Sequence, residues 1–397
     1  MGLVRLLHVS DTHLGAVPYG LPERERDLYD AFREVVDIAI GRGVNAVIHG
    51  GDLFHSSRPK PRTLIMVVRE LMRLKDAGIE FIVAPGNHEL PKGEHVGSPV
   101  RLLEVLGLAR SSHGFDRPDV HGLGGVDVIV FSEWSSGLLA KLDPSSLSPS
   151  HVRIALAHVP LCDALLQVES VPETSCPSRV YSSLIRRGYS YVALGDIHTR
   201  WVGSLEDGTP IVYPGSTEYL GVDEYRRDPE RSVYIVDVEG PGEVKLERVR
   251  LKSTRPWILV EGEAGNVYKA VQDIRKIGDK EPLVIVRVKG GISRLARNKL
   301  VSALEGLRRS NTILYYSVEV EEGKLFPRPP QQQGQARVSV ESVIRDIVKC
   351  DEAVNLVKSI IEDPKLAEKF IDELERDENI VKCLENSKAS TRRLRSP

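Results

Sequence analysis

Short continuous apolar runs alternate along the chain with longer stretches in which apolar residues recur every three or four positions. Runs such as residues 81–83 and 154–157 are partly β-branched and are typical of strands buried on both faces. Residues 24–40 and 62–77 have the spacing of amphipathic helices. This alternation predicts one large α/β domain over residues 1–252.

A second unit follows Arg255 and Pro256, where a strand-helix pattern starts again. The order of its elements is β-α-β-α-β, with lysines and arginines on the helices, which indicates a small domain at residues 253–322. Strands are predicted at residues 257–262, 282–288 and 312–320, and helices at residues 267–277 and 293–309.

The C-terminal part of the chain differs in composition. Residues 324–335 are rich in Pro and Gln and predict a flexible linker, with boundaries at residues 323–338. Residues 339–386 carry two apolar helical stripes. Because so short a segment cannot bury both stripes by itself, the pattern favours a helical segment that binds a partner. The alternative is a small helical hairpin packed on the protein's own body. Residues 387–397 are expected to form a basic disordered tail.

The formal net charge of -2 hides an uneven distribution. Residues 251–330 contain 15 Lys and Arg against 9 Asp and Glu, whereas residues 341–386 contain 7 against 13. The basic part suits a polyanionic partner and the acidic part does not.

The cysteines follow neither zinc-site nor redox-pair spacing, so we expect free thiols in a reducing compartment. No N-terminal signal peptide and no apolar run of roughly 20 residues is present, so we expect a soluble cytoplasmic protein without membrane association. The four cysteines are Cys162, Cys176, Cys350 and Cys383.

Metal-ligand residue types follow five of the apolar runs. Glycines stand at the same points, which lets the backbone turn sharply and bring these side chains together at strand ends. A single Asp or His in a loop is usually a solvated or capping group, but seven in one domain predict a binuclear metal site. The candidate ligands are Asp11, His13, Asp52, Asn87, His158, Asp196 and His198.

Mixed oxygen and nitrogen donors without thiolate favour manganese, iron or zinc. A pair of such ions suits phosphoester hydrolysis, because it can activate a hydroxide and neutralise developing phosphoryl charge. His88 follows Asn87 directly, so its imidazole can overhang the substrate and either protonate the leaving oxygen or stabilise the transition state. His55 either supports His88 in catalysis or is a loop histidine that contacts backbone.

These residues resemble the motif series of calcineurin-like metallophosphoesterases. The run from Gly51 to His55 with the following Ser57-Arg58-Pro59, and the run from Tyr213 to Glu218, narrow the resemblance to the Mre-eleven/SbcD double-strand-break repair nucleases. The resemblance implies a four-layer α-β-β-α sandwich with a small α+β capping domain and a tethered helical C-terminal segment.

The resemblance also implies chemistry and partners. Two Mn²⁺ ions per subunit would support 3′-to-5′ exonuclease action on double-stranded DNA and endonuclease action on single strands. The helical segment would bind an SMC-like ABC-type ATPase, and the catalytic domain would form a homodimer. Asp11, His13, Asp52 and His198 would hold one ion and Asp52, Asn87, His158 and Asp196 the other, and DNA phosphates would contact basic residues such as Lys269, Arg275, Lys276, Arg294, Arg297 and Lys299.

One residue departs from the family pattern, because the family usually has His where this chain has Asp196. A carboxylate still ligates manganese, so an occupied second site is expected. Two other functions remain open. A phosphoprotein or nucleotide phosphatase would share the metal ligands, and a scaffold that tethers DNA and the ATPase would keep them without using them.

Overall fold

The computed structural model describes residues 2–90, 97–114, 116–169, 176 and 180–321. The predicted linker, helical segment and basic tail lie outside these residues. Among the described helices, none is both long and apolar enough to cross a membrane.

The described chain contains strands and helices in the alternating order that the apolar pattern predicts. The strands are β1 (Val4–Val9), β2 (Ala46–His49), β3 (Glu80–Val83), β4 (Asp119–Leu123), β5 (Val126–Val130), β6 (Arg153–His158), β7 (Tyr191–Gly195), β8 (Trp201–Ser204), β9 (Pro210–Tyr213), β10 (Ser232–Gly240), β11 (Glu243–Arg250), β12 (Trp257–Gly262), β13 (Leu283–Lys289) and β14 (Tyr315–Glu321). The α-helices are α1 (Pro22–Arg42), α2 (Pro61–Asp76), α3 (Pro99–Val105), α4 (Pro144–Leu147), α5 (Cys162–Glu169), α6 (Val222–Arg227), α7 (Ala264–Gln272) and α8 (Arg294–Arg309).

Two sheets form the catalytic domain. The first has the order β11-β10-β1-β2-β3, with β1, β2 and β3 parallel and β10 and β11 antiparallel. The second has the order β4-β5-β6-β7-β9-β8, with parallel strands in the middle and antiparallel strands at both edges. Each sheet therefore contains a group of neighbouring parallel strands whose carboxyl ends lie on one side.

Three separate apolar cores fix the layers. Phe32 of α1 and Leu71 of α2 pack on the outer face of the first sheet. Leu6 and Ile154 belong to the core between the two sheets, where both strands are buried. Phe131 belongs to a third core, shared by the outer face of the second sheet and the residues of α5. The predicted α-β-β-α sandwich is confirmed.

The segment predicted as a capping domain contains β12 to β14, which form a three-stranded parallel sheet in the order β12-β13-β14. Val271 of α7 and Leu304 of α8 pack on one face of it. Its other face carries Trp257 and Ile285, which pack against Tyr219 of the catalytic domain. The sheet is thus held between its helices and the catalytic domain.

Helix α7 differs from its predicted bounds, because it begins earlier and ends at Gln272. The spacing of Val267, Val271 and Ile274 suggests a helix that continues further. Ile274 is buried in the same core from a position beyond the helix end. In the sequence, an apolar residue that a turn directs into the core looks the same as one that a continuing helix directs there.

A buried ionic network joins the two domains. The Asp27 side chain of α1 is 1% exposed and accepts hydrogen bonds from Arg24 at 2.7 Å and Arg255 at 2.6 Å. Lys280 of the capping domain lies 3.0 Å from the same carboxylate, and Arg24 also binds Glu218 at 3.0 Å. Burial raises the pKa of Asp27, but Arg255 and Arg24 outweigh it and hold the pKa below its usual value. The capping domain is therefore anchored by paired buried charges.

The prediction of free thiols is wrong for Cys162 and Cys176. These residues form a disulfide with a Cα–Cα distance of 5.5 Å and a sequence separation of 14. The strand bridge between Leu161 and Val180 brings the two segments together, which spacing alone does not reveal. Cys350 and Cys383 lie outside the described residues.

Candidate metal centre

The candidate ligands converge at the carboxyl ends of parallel strands from both sheets. Parallel strands end on the same edge, and the two sheets are stacked, so their loops meet there. Segments that are remote in the sequence therefore meet at this edge. The contributing elements are β1 (Asp11 and His13), β2 (Asp52), the 3₁₀ turn Asn87–Glu89 after β3, β6 (His158) and β7 (Asp196 and His198).

Several candidate ligands have a left-handed backbone. The φ angles are 52° at Asp11, 42° at His13, 54° at Asp52 and 97° at Asp196. Non-glycine residues pay a conformational cost there, although Asp, Asn and His tolerate it best. The backbone is therefore turned away from its preferred conformation at the residues that carry the chemistry.

Two glycines allow the segments to approach closely. A Cβ on Gly51, whose φ is +101°, would lie 2.4 Å from Nδ1 of His158. A Cβ on Gly86 would lie 2.2 Å from Oδ1 of Asp52. Both positions therefore require glycine, because any side chain would displace a candidate ligand.

The Asp52 carboxylate lies at the centre of the cluster. Its Oδ2 atom is 3.6 Å from Nε2 of His13, 3.5 Å from Nε2 of His158 and 3.8 Å from Nε2 of His88. Its Oδ1 atom accepts a hydrogen bond from the backbone N–H of His88 at 3.0 Å. Asp52 can therefore offer one oxygen to ions on both sides, as a bridging carboxylate does.

His13 and His198 approach each other with their Nε2 atoms 3.0 Å apart. This separation matches two neighbouring ligands on one ion at metal–nitrogen distances of about 2.1 Å. Oδ1 of Asp11 lies 4.0 Å from Nε2 of His198. These three side chains thus form one half of the cluster.

His158 and Asp196 form the other half. Nδ1 of His158 donates to the carbonyl of Gly50 at 2.8 Å, which directs Nε2 into the cluster. That Nε2 atom is buried and makes no hydrogen bond with any described residue, although Oδ1 of Asp196 is 3.4 Å away. The backbone N–H of Asp196 donates to Asp11 at 3.1 Å, which connects the two halves.

Two glutamates that sequence reasoning missed hold this arrangement. Oε1 of Glu224 accepts a hydrogen bond from Nδ1 of His198 at 2.8 Å, which directs the other ring nitrogen to the cluster. Glu89 is fully buried and accepts from the backbone N–H groups of Phe54 and Gly86 at 2.6 and 2.7 Å. Glu89 adjoins His88 in the sequence, whereas nothing local identifies Glu224.

The structure brings His55 and His88 together. Their rings are stacked with centroids 4.9 Å apart, and Nδ1 of His88 donates to the backbone carbonyl of His55 at 2.8 Å. Nδ1 of His55 lies 3.4 Å from Nδ1 of His13. The Asn87 side chain is exposed and makes no hydrogen bond with the described residues. Of Asn87 and His88, His88 is the residue that contacts the candidate ligands directly.

Burial and neighbouring charges set the protonation of the cluster. Burial raises the pKa of Asp11 to about 6 and lowers that of His13. Burial would also lower the pKa of His198, but Glu224 outweighs it and raises the value to about 9. In the same way Asp52 and Asp196 hold the pKa of His158 well above its ordinary value. Bound protons on imidazole thus balance the carboxylates, and a cation can replace them.

The donor set fits divalent transition metal ions. Ligand atoms of Asp11, His13 and His198 lie within 4.8 Å of one another, as do those of Asp11, Asp52 and His158. Carboxylate and imidazole donors suit manganese, iron and zinc. The buried Nε2 of His158 has a lone pair available for such an ion once its proton leaves.

The chain is similar to known proteins over most of its described length. Residues 4–200 match the family model of the calcineurin-like phosphoesterases. This span contains every candidate ligand and both candidate catalytic histidines.

Three archaeal relatives illustrate the similarity, and each is named a DNA double-strand break repair protein Mre11. The protein of Saccharolobus solfataricus is 29% identical over 90% of this chain and 94% of its own length. That of Haloferax volcanii is 35% identical over 72% of this chain and 62% of its own length. That of Thermoplasma acidophilum is 32% identical over 72% of this chain and 77% of its own length.

Proposed function

The chain belongs to the Mre11 family of calcineurin-like phosphoesterases, which are metal-dependent phosphodiester hydrolases, and we propose that it is a manganese-dependent nuclease that processes DNA ends in double-strand-break repair. Its proposed activities are 3′-to-5′ exonuclease action on double-stranded DNA and endonuclease action on single strands. The observation that carries the proposal is the convergence of three carboxylates and three imidazoles, with Asp52 at the centre. Oδ2 of Asp52 lies within 3.6 Å of both His13 and His158.

Two Mn²⁺ ions per subunit are proposed. The shared position of Asp52 between the two halves of the cluster supports a pair of ions rather than one. Asp196 gives the second position an additional carboxylate, which suits manganese. The proposed ligands are Asp11, His13, Asp52 and His198 for one ion and Asp52, Asn87, His158 and Asp196 for the other.

The chain's own residues prepare the phosphodiester for hydrolysis. Bound divalent ions supply an activated hydroxide and neutralise the charge on the phosphoryl oxygens. Glu224 and Gly50 fix the tautomers of His198 and His158, so that one nitrogen of each ring faces the cluster. His88 holds a proton on Nδ1 against the His55 carbonyl, and in its imidazolium form it gives the Nε2 proton to the leaving oxygen.

DNA is the proposed substrate because of the capping domain. Phosphate contacts from lysine and arginine supply much of the affinity of proteins for DNA. Six basic side chains on or near α7 and α8 are exposed and available for such contacts: Lys269, Arg275, Lys276, Arg294, Arg297 and Lys299.

A homodimer through the catalytic domain is also proposed. Helices α2 and α3 expose apolar side chains that the rest of the described domain does not cover. Ile65 and Met72 of α2 are 52% and 49% exposed, and Val105 of α3 is 75% exposed. Such side chains suit a symmetric interface between two copies.

The remaining partners follow from the family. The segment at residues 339–386 is proposed to bind an SMC-like ABC-type ATPase of the repair complex. The proposal locates the protein in the cytoplasm, in association with the chromosome, where its substrate lies.

A nuclease assay on duplex DNA labelled at the 3′ or the 5′ end tests the proposal. With Mn²⁺ added, nucleotides should be released from the 3′ end, and EDTA should stop the release. Single-stranded circular DNA should be cut under the same conditions.

Two results would refute the proposal. Hydrolysis of small phosphate monoesters without any action on DNA would identify a phosphatase. Metal binding and DNA binding without hydrolysis of either substrate would identify a scaffold.

A further inference from the structure

A cleft of about 550 Å³ lies between the catalytic and the capping domain. Its walls come from α6 and the segments on either side of it, from the segment that joins β11 to β12, from the start of β12 and from Ile277. None of the candidate metal ligands lines it. Its volume lies in the range of sites for small organic ligands.

Two buried donors in the walls of this interdomain cleft make no hydrogen bond with any described residue. They are Nε1 of Trp257 and Nε of Arg231, and their residues are 5% and 2% exposed. Indole and guanidinium N–H groups donate and do not accept. The buried hydroxyl of Thr254 also lines the cleft without a partner. These groups call for a ligand rich in acceptors, because an unsatisfied buried donor is costly.

The charges in the cleft favour an anion. The buried guanidinium of Arg231 donates to carbonyl groups and to a serine hydroxyl, and it forms no ion pair with a carboxylate of the described residues. The exposed side chain of Lys252 forms no ion pair with the described residues. Arg250 shares Glu230 at 3.1 Å with a second arginine. Arg255, the remaining cation of the walls, is already paired with Asp27.

The apolar part of the cleft suits a planar organic group. Tyr225 and Trp257 stack with ring centroids 5.7 Å apart and an interplanar angle of 18°. Tyr219 stands edge-on to Trp257 with a centroid distance of 5.8 Å, and Ile277 closes the apolar wall. An inorganic anion alone would leave this wall and most of the volume unused.

We propose that the interdomain cleft binds a nucleoside monophosphate. The phosphate takes hydrogen bonds from Lys252, Thr254, Nε1 of Trp257 and Nε of Arg231, and the nucleoside lies against the aromatic wall. The preference for an anionic ligand depends only on the hydrogen-bond donors and the charges of the cleft. The choice of a nucleotide rests on the proposed nuclease function, because exonuclease action releases this class of molecule.

The position of Arg231 connects the cleft with the metal centre. Its Nη1 donates to the carbonyl of His198 at 2.6 Å, and its Nη2 donates to the carbonyl of Glu224 at 3.0 Å. A ligand that accepts a hydrogen bond from Nε of Arg231 therefore contacts the same guanidinium group that binds the backbone carbonyls of His198 and Glu224. A released nucleotide in the cleft would act on the backbone of a candidate metal ligand.

Titration of the full chain with deoxyadenosine monophosphate in EDTA tests the proposal, because EDTA removes binding at the metal centre. Calorimetry should give one equivalent of bound nucleotide, with a change in the emission of Trp257. Lys252→Gln should weaken binding at least tenfold, because it removes an exposed cation of the cleft. The matched control is Lys245→Gln, which removes an exposed lysine of β11 outside the cleft and should leave binding unchanged.

The location has its own readout. Trp257→Phe should abolish the emission change and weaken binding, since phenylalanine lacks the indole N–H. Deoxyadenosine without phosphate should bind at least tenfold more weakly than the monophosphate.

Equal affinity in Lys252→Gln and in the unmodified chain would overturn the proposal, as would equal affinity for deoxyadenosine or the absence of binding. The titration requires no metal and no cleavage. Nucleotide binding in a chain without nuclease activity would therefore refute the proposed function alone, and nuclease activity without nucleotide binding would refute the cleft alone.

Discussion

Gly51 and His158 are in such close contact that a single methyl group on Gly51 would lie 2.4 Å from the imidazole Nδ1. The two residues belong to the ends of strands in different sheets. The contact therefore joins the sheets at the point where the candidate ligands meet. Replacement of Gly51 by alanine is enough to test its importance.

Gly51→Ala should weaken Mn²⁺ binding and lower the free energy of unfolding by about 2 kcal/mol or more, since it adds a clash to a left-handed backbone. Manganese titration and urea unfolding measure the two effects. Gly43→Ala is the matched control, because Gly43 has a φ of +58° and no heavy atom near its Cβ position. It should cost only about 1 kcal/mol and leave metal binding intact. Equal metal affinity in both variants would contradict the prediction.

Asp52→Asn should lower Mn²⁺-dependent DNA cleavage on the order of 10³-fold, because it removes the charge of the central carboxylate. Asparagine tolerates the left-handed φ of Asp52 and can still accept the hydrogen bond from His88. The fold should therefore be retained. Cleavage rates together with the bound manganese per subunit check this, and normal cleavage with normal occupancy would exclude a central role.

His88→Ala should retain metal and DNA binding but lose cleavage about 10²- to 10⁴-fold, the usual contribution of a general acid. His55→Ala should have a smaller effect, because His88 is oriented by the backbone carbonyl of His55 and not by its side chain. Single-turnover cleavage rates separate the two variants. A larger loss in His55→Ala would reverse the assignment of their roles.

Asp27→Asn should lower the free energy of unfolding by about 3 kcal/mol at pH 7, since Arg24, Arg255 and Lys280 would lose their buried partner. The pKa of Asp27 is lowered in the folded chain. Its contribution is therefore complete above the unfolded pKa of about 3.9 and disappears as the pH falls through the folded value. Urea unfolding at pH 7 and pH 3 should give a smaller difference between variant and parent at pH 3. A constant difference would show that the charge of Asp27 does not matter.

Val105→Glu should convert a dimer into monomers, because it places a charge in the exposed apolar surface of α3. Light scattering coupled to size-exclusion chromatography measures the mass. The control is Leu295→Glu on α8, where the side chain is 67% exposed and far from α2 and α3 in the sequence. Dimers of Val105→Glu would exclude this surface as the interface.

The sequence was sufficient to predict which side chains meet in the candidate metal cluster, with the exception of the exposed Asn87. An apolar run that ends in Asp or His places a ligand at a sheet edge, and five such runs in one domain meet if their strands are parallel. Strands β3 and β6 begin and end within one residue of the apolar runs predicted at residues 81–83 and 154–157. At these strand ends the candidate ligands follow the apolar runs, so the same residues predict both the strand and the ligand.

Interactions between distant residues could not be predicted in the same way. Arg255 pairs with Asp27 across 228 positions, and Glu224 orients His198 across 26. The Cys162–Cys176 disulfide likewise depends on the bridge beside it. Each residue is one of many of its type, and only the folded chain selects its partner.

The pairing of β1 with β10 affects the order in which the protein folds during its synthesis. Val4 faces Val238 in this pair, so β1 gains one of its two neighbouring strands only after the chain has been synthesised as far as residue 238. Contacts between such distant positions form late and slowly. The sheet that carries Asp11 and His13 at the end of β1 is therefore completed only after β10 has been synthesised.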